Sequence, residues 1–85
     1  MTLTKEIPLV NKYGMHVRPA GALARVCQKY MSEVTVANGD CSVSGKSVLG
    51  LMTLQAPVGT VLTFTAQGDD ASLVLDSATV SIDEA

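Results

Sequence analysis

The chain has 85 residues, of which 47% are hydrophobic and only three are aromatic, with a formal net charge of −2. The length suits one domain over residues 1–85, and the apolar content excludes a disordered chain. The slightly acidic balance excludes the basic footprint that nucleic-acid binding needs. No apolar run approaches the ~20 residues of a membrane helix, so no membrane insertion is expected. "MTLTKEIPLV" lacks a basic leader before a long apolar core, which speaks against a secretory signal and for a cytoplasmic protein. Cys27 and Cys41 are not in CxxC spacing. Two free, buried core thiols are expected, with a disulfide or metal site as the alternative.

In chain order, "TLTKEIPLV" puts Leu3, Ile7 and Leu9 on one parity, broken only by Lys5, which is strand alternation. Pro8 cannot donate a ladder hydrogen bond, so this strand lies at a sheet edge or ends there. "NKYG" then turns the chain. Over residues 17–31 the period changes. Ala20, Leu23, Ala24, Cys27, Tyr30 and Met31 recur at helical steps, and Arg25, Gln28 and Lys29 share the other face. Pro19 fits only a first turn. "EVTVANGDCSV" reads as two strands around an Asn38-Gly39 turn.

"GKSVLGLMTL" is a short apolar helix with Ser47 near its start, and "GTVLTFTA" is another strand. "QGDDASLVLDSATVSI" opens on Gly and two Asp that cap a last helix, with Val74, Leu75, Ala78 and Ile82 at helical spacing. That helix is short and weak in propensity, and a strand at "SLVL" or "TVSI" is the alternative. Asp69 and Asp70 supply too few oxygens for a metal site. The order β-α-β-β-α-β-α with a hairpin predicts an α+β fold, an antiparallel sheet covered on one side by helices.

The sole histidine, His16, falls at the start of the first helix, in "YGMHVRPAGALARV". First-turn N–H groups and the helix dipole make such an end receptive to anions. Arg18 adds a permanent cation with a fork of donors suited to phosphate oxygens. A neutral imidazole nitrogen is a nucleophile, so these parts suit a ring that accepts a phosphoryl group and hands it on. A helix cap or an ordinary surface histidine is the plainer alternative. Ser47 reads as an N-cap. "SVLGLM" holds more apolar residues than one short helix buries. Val48, Leu51 and Met52 can share a face, and Leu49 points elsewhere, toward either a second core contact or an exposed docking patch. The flexible thioether of Met52 suits the latter.

"GMHVRPAGALA", together with "SGKSVLGLMTL", "APVGT" and "AQGDDA", resembles the HPr family of histidine-containing phosphocarriers of the bacterial phosphoenolpyruvate-dependent phosphotransferase system. The similarity runs along almost the whole chain. It implies an HPr-like open-faced β-sandwich, a four-stranded antiparallel sheet under three helices. It implies that His16 is the phosphorylated residue, that Arg18 steadies the phosphate, and that the N–H groups of Val17 and Arg18 cap it. The partners it implies are enzyme I as donor and enzyme IIA-type domains as acceptors, docking on Val48, Leu49, Met52 and Arg25. A kinase/phosphorylase acting on Ser47 is a further implied partner, its phosphate repelling the group arriving at His16. A monomeric, non-catalytic carrier without a cofactor or metal is expected. A regulatory module of the nitrogen-type branch, or one acting through Ser47, is the alternative. The chain departs from the family at Gln28, where a basic residue is frequent, and in its acidic overall charge.

Overall fold

The computed structural model describes residues 1–84. The elements are β1 (Thr2–Pro8), α1 (Val17–Gln28), β2 (Glu33–Asn38), β3 (Cys41–Ser44), α2 (Val48–Thr53), β4 (Val61–Gln67) and α3 (Ala71–Glu84). The strands form one four-stranded sheet in the order β1-β4-β2-β3, and every neighbouring pair is antiparallel. The α+β architecture expected from the periodicity is the one adopted.

Period-two alternation sends Ile7, Val34, Val36, Leu62, Phe64 and Ala66 to the helix-covered face, where all are buried. The helices close over them with Leu23, Ala24 and Cys27 of α1, Leu51 of α2, and Ala71, Val74, Ala78 and Ile82 of α3. The opposite face has no helix and needs none. Thr4, Thr65, Thr35 and Ser44 stand in register across all four strands. Threonine combines a β-branched body that suits a strand with a hydroxyl that suits water.

The edge strand β1 ends on Pro8, as its missing N–H requires. Lys5 breaks the alternation because its ammonium reaches Thr79 of α3 at 2.9 Å. An inward-turned charge on an edge strand also disfavours pairing with a second sheet.

Five local expectations are corrected. Met31 is 90% exposed, because α1 stops at Gln28 and the chain leaves the helix through the N–H groups of Lys29 and Tyr30, bonded to Val26 and Cys27 carbonyls. Asp70 places its backbone carbonyl at the start of α3, accepting from Val74 at 3.0 Å. Its carboxylate does not cap that helix; it accepts from the N–H groups of Met31 and Ser32, each at 2.9 Å, and from the Ser32 hydroxyl. Cys41 is exposed, not core: it opens the short edge strand β3 beside the hairpin turn, paired with Asn38 at the corner of the sheet. That turn centres on Gly39 and Asp40, one residue later than expected, with Gly39 at φ +61°, where glycine is favoured. Finally, α3 is a helix through both proposed strand segments and, at 14 residues, is the longest element rather than a short one.

Candidate functional site

The approach to α1 is built by a tight turn. Gly14 has φ +71°, and its N–H bonds to the Asn11 carbonyl at 3.0 Å. The next N–H, of Met15, bonds to the Ala56 carbonyl at 2.8 Å. This ties the segment before α1 to the loop after α2. A Cβ at residue 14 would collide with the Ala56 carbonyl oxygen and with Pro57, so both the turn and the close approach require glycine.

His16 follows as the N-cap residue, extended at φ −127° and ψ −169°. Its carbonyl accepts from Ala20 at 3.0 Å, but its side chain makes no capping bond. Pro19 has no N–H, so Val17 and Arg18 carry the first-turn donors that lack a helical partner. The first turn holds no acidic residue, which leaves the positive end of the helix dipole unopposed there. Val17 and Arg18 are exposed and His16 is half-buried. The imidazole meets the Tyr13 ring edge-to-face, with centroids 6.1 Å apart and planes at 75°. Lys12 lies over that tyrosine, 5.3 Å from the ring centroid. An imidazole, two N–H donors and a guanidinium at one helix end can bind an oxyanion and offer it a nucleophile.

α2 packs beside α1 in the opposite sense. Its exit is bound to the His16 end by the Met15–Ala56 bond. Its entrance is bound to the far end of α1: the Gln28 amide donates to the Lys46 carbonyl at 2.8 Å, and the Lys46 ammonium donates to the Tyr30 carbonyl at 2.9 Å. Ser47 is the N-cap of α2, its Oγ accepting from Gly50 N–H at 3.0 Å, as expected. It therefore lies at the end of α1 away from His16, and α1's 12 residues span about 18 Å. Repulsion between phosphates at the two residues would therefore have to act along the length of α1.

Leu51 is buried and Val48 half-buried, while Leu49 is 77% and Met52 38% exposed. Leu49 is thus an exposed side chain, and Met52 divides between core and surface. Arg25 is placed on the other flank of α1, in a groove lined also by Ala22, Val26 and Lys29 and, across from them, by Asp76 and Val80. Two positions that sequence reasoning passed over stand beside His16 or its loop: Tyr13, and Val58 in the turn held by the Gly59 N–H to Leu9 carbonyl bond. An exposed tyrosine in a chain of three aromatics, three residues before the histidine, was a usable signal for the first.

Cys27 is buried beneath this surface, and burial pushes its thiol up to about 11, with the Lys46 charge pulling slightly the other way. Among the described residues no group of three or more His, Cys, Asp or Glu side chains could hold a metal ion. Nor is any described helix long and apolar enough to cross a membrane.

Comparison with known proteins places these features in a family. The family model described as "PTS HPr component phosphorylation site" matches residues 3–83. The phosphocarrier protein NPr of Shewanella violacea is 33% identical over 81 residues, covering 95% of this chain and 89% of that protein. The phosphocarrier protein HPr of Haemophilus influenzae is 37% identical over 67 residues, covering 79% of each. Among solved structures, the histidine-containing phosphocarrier protein of a mycoplasma superposes with a TM-score of 0.91 at 26% identity, covering 96% of this chain and 93% of that one.

Proposed function

The chain belongs to the HPr family of phosphocarrier proteins of the phosphotransferase system, and from that premise we propose that His16 is its phosphoryl acceptor, taking the group from phospho-enzyme I and passing it to enzyme IIA-type domains. The observation that carries this reading is the pairing of an uncapped helix start with a histidine whose ring is not used as the cap.

The chemistry is a transfer between nucleophiles. A lone pair on one ring nitrogen of His16 attacks phosphorus, the donor's bond to phosphorus breaks, and the leaving group keeps that electron pair. The N–H groups of Val17 and Arg18 and the guanidinium of Arg18 hold the phosphate oxygens. Transfer onward is the same step with the acceptor as nucleophile. The protein turns over nothing by itself, so it is a carrier and not an enzyme, and it works in the cytoplasm as a monomer.

Partners dock on the surface that runs from His16 along α1 and α2, with Val48, Leu49 and Met52 as apolar contacts and Arg25 as a flanking charge. Ser47 is a regulatory site for a kinase/phosphorylase. Its phosphate would stand at the start of α2 next to Leu49 and oppose docking.

A second reading is favoured by the similarity to NPr: the same transfer to His16 within a nitrogen-type, regulatory branch. The donor decides. Labelled phosphoryl transfer from sugar-type and nitrogen-type enzyme I, each followed by an enzyme IIA domain, is the test. Faster loading and onward transfer with the sugar-type pair supports the first reading, and preference for the nitrogen-type pair supports the second. Equal labelling of His16→Ala would overturn both.

A further inference from the structure

We propose that Tyr13 is a positioning residue for His16, its ring holding the imidazole in the orientation that receives the phosphoryl group. The inference rests on the phosphocarrier reading and deepens it. Among the described residues the His16 ring makes no hydrogen bond. Its one ring contact is with Tyr13, at 6.1 Å and 75°, which is the edge-to-face geometry that aromatic pairs prefer.

An imidazole turns about a broad sp³–sp² torsion, so a ring without a partner spreads over many orientations. Attack on phosphorus needs the nitrogen lone pair in line with the bond that breaks, and holding that geometry raises the rate. Tyr13 can do this because it is itself held. The backbone just after it is fixed by the Gly14 turn and the Met15–Ala56 bond. The ring is flanked by the Lys12 ammonium at 5.3 Å, a cation–π arrangement. Tyr13 is 75% exposed, so core packing does not explain where its ring sits. The competing role for an exposed aromatic is docking, and the two differ in what they change. A docking residue affects only reactions that involve a partner.

A partner-free donor separates them. Phosphoramidate phosphorylates imidazole directly: a ring-nitrogen lone pair forms the new N–P bond, the P–N bond of the reagent breaks, and its nitrogen leaves as ammonia after taking a proton from solvent. The rate of this reaction is compared for wild type, Tyr13→Phe and Tyr13→Leu, alongside the NMR signals of the His16 ring protons in each. Loss of the ring is expected to slow the phosphoramidate reaction about three- to tenfold, to move the His16 signals by removing the ring current, and to be rescued by phenylalanine. With enzyme I, the same variant is expected to lose rate at saturating donor with KM unchanged.

Equal phosphoramidate rates with unmoved His16 signals would overturn the proposal, as would a defect seen only in KM for enzyme I. A wild type that takes no phosphoryl group from either donor overturns the carrier reading and this inference with it. The NMR signals separate that failure from the absence of the ring contact.

Discussion

At Gly14 the backbone sits at φ +71° against the Ala56 carbonyl, and His16 depends on that turn for its place at the helix start. Gly14→Ala is expected to cost about 1–3 kcal/mol through left-handed strain and the collision. A thermal midpoint equal to wild type would contradict this. The cysteines give a second residue-scale prediction. Cys27 is buried with its thiol raised to about 11 by desolvation, while Cys41 is exposed. Thiolate is the reactive form, so at pH 7 a thiol reagent should label one site per folded chain, and Cys41→Ser should remove it. Equal labelling of both in the native state would show that the α1 core is open.

The two ends of α1 arise differently, and only one was legible in the sequence. The start is local: Gly14, His16 and Pro19 mark it within six residues, and the helix begins there. The end is not. Periodicity continued to Met31, yet the Asp70 carboxylate, 38 residues from Ser32 along the chain, takes the N–H groups that would have extended the helix. Helical propensity cannot report a partner so remote. The Ser32 hydroxyl, then the Met31 and Ser32 N–H groups, hold the Asp70 carboxyl below its ordinary value. Its contribution is therefore complete above the unfolded carboxyl's value of about 3.9 and fades as pH falls through the lower folded one. The unfolding midpoint of Asp70→Asn should lie below wild type at pH 7 and converge toward it as pH drops below about 4. A constant gap down to pH 2 would assign the loss to something other than the charge. The hairpin shows the same limit in miniature: Asn38-Gly39 announced a turn correctly, but the register of β2 on β3 set its centre at Gly39-Asp40.

Across the whole molecule, the layering follows from strand parity and helix stripes, which is why the element order and most of the core could be read in advance. The arrangement of the site was only partly legible. His16, Val17 and Arg18 are neighbours in sequence and share one helix end. Ser47 belongs to the other end of α1, a consequence of α2 running back along it, which no spacing of residues expresses. Tyr13 stands three residues before His16, and only the folded turn sets its ring against the imidazole. This layout makes Ser47→Asp informative. It should weaken acceptance from enzyme I, chiefly by raising KM, and leave phosphorylation of His16 by phosphoramidate within about twofold of wild type, since charges so far apart on an exposed surface are largely screened. Equal loss with both donors would restore direct repulsion between the two residues.

The proposal that His16 carries the phosphoryl group is open to a single experiment. Incubation with phosphoenolpyruvate, Mg²⁺ and enzyme I, followed by intact-mass measurement before and after acid treatment, tests it most directly when wild type and His16→Ala are run together. A gain of one phosphoryl group in wild type, removed by acid and absent from the folded variant, is expected if His16 is the acceptor. An acid-stable gain, or the same gain in His16→Ala, would contradict it.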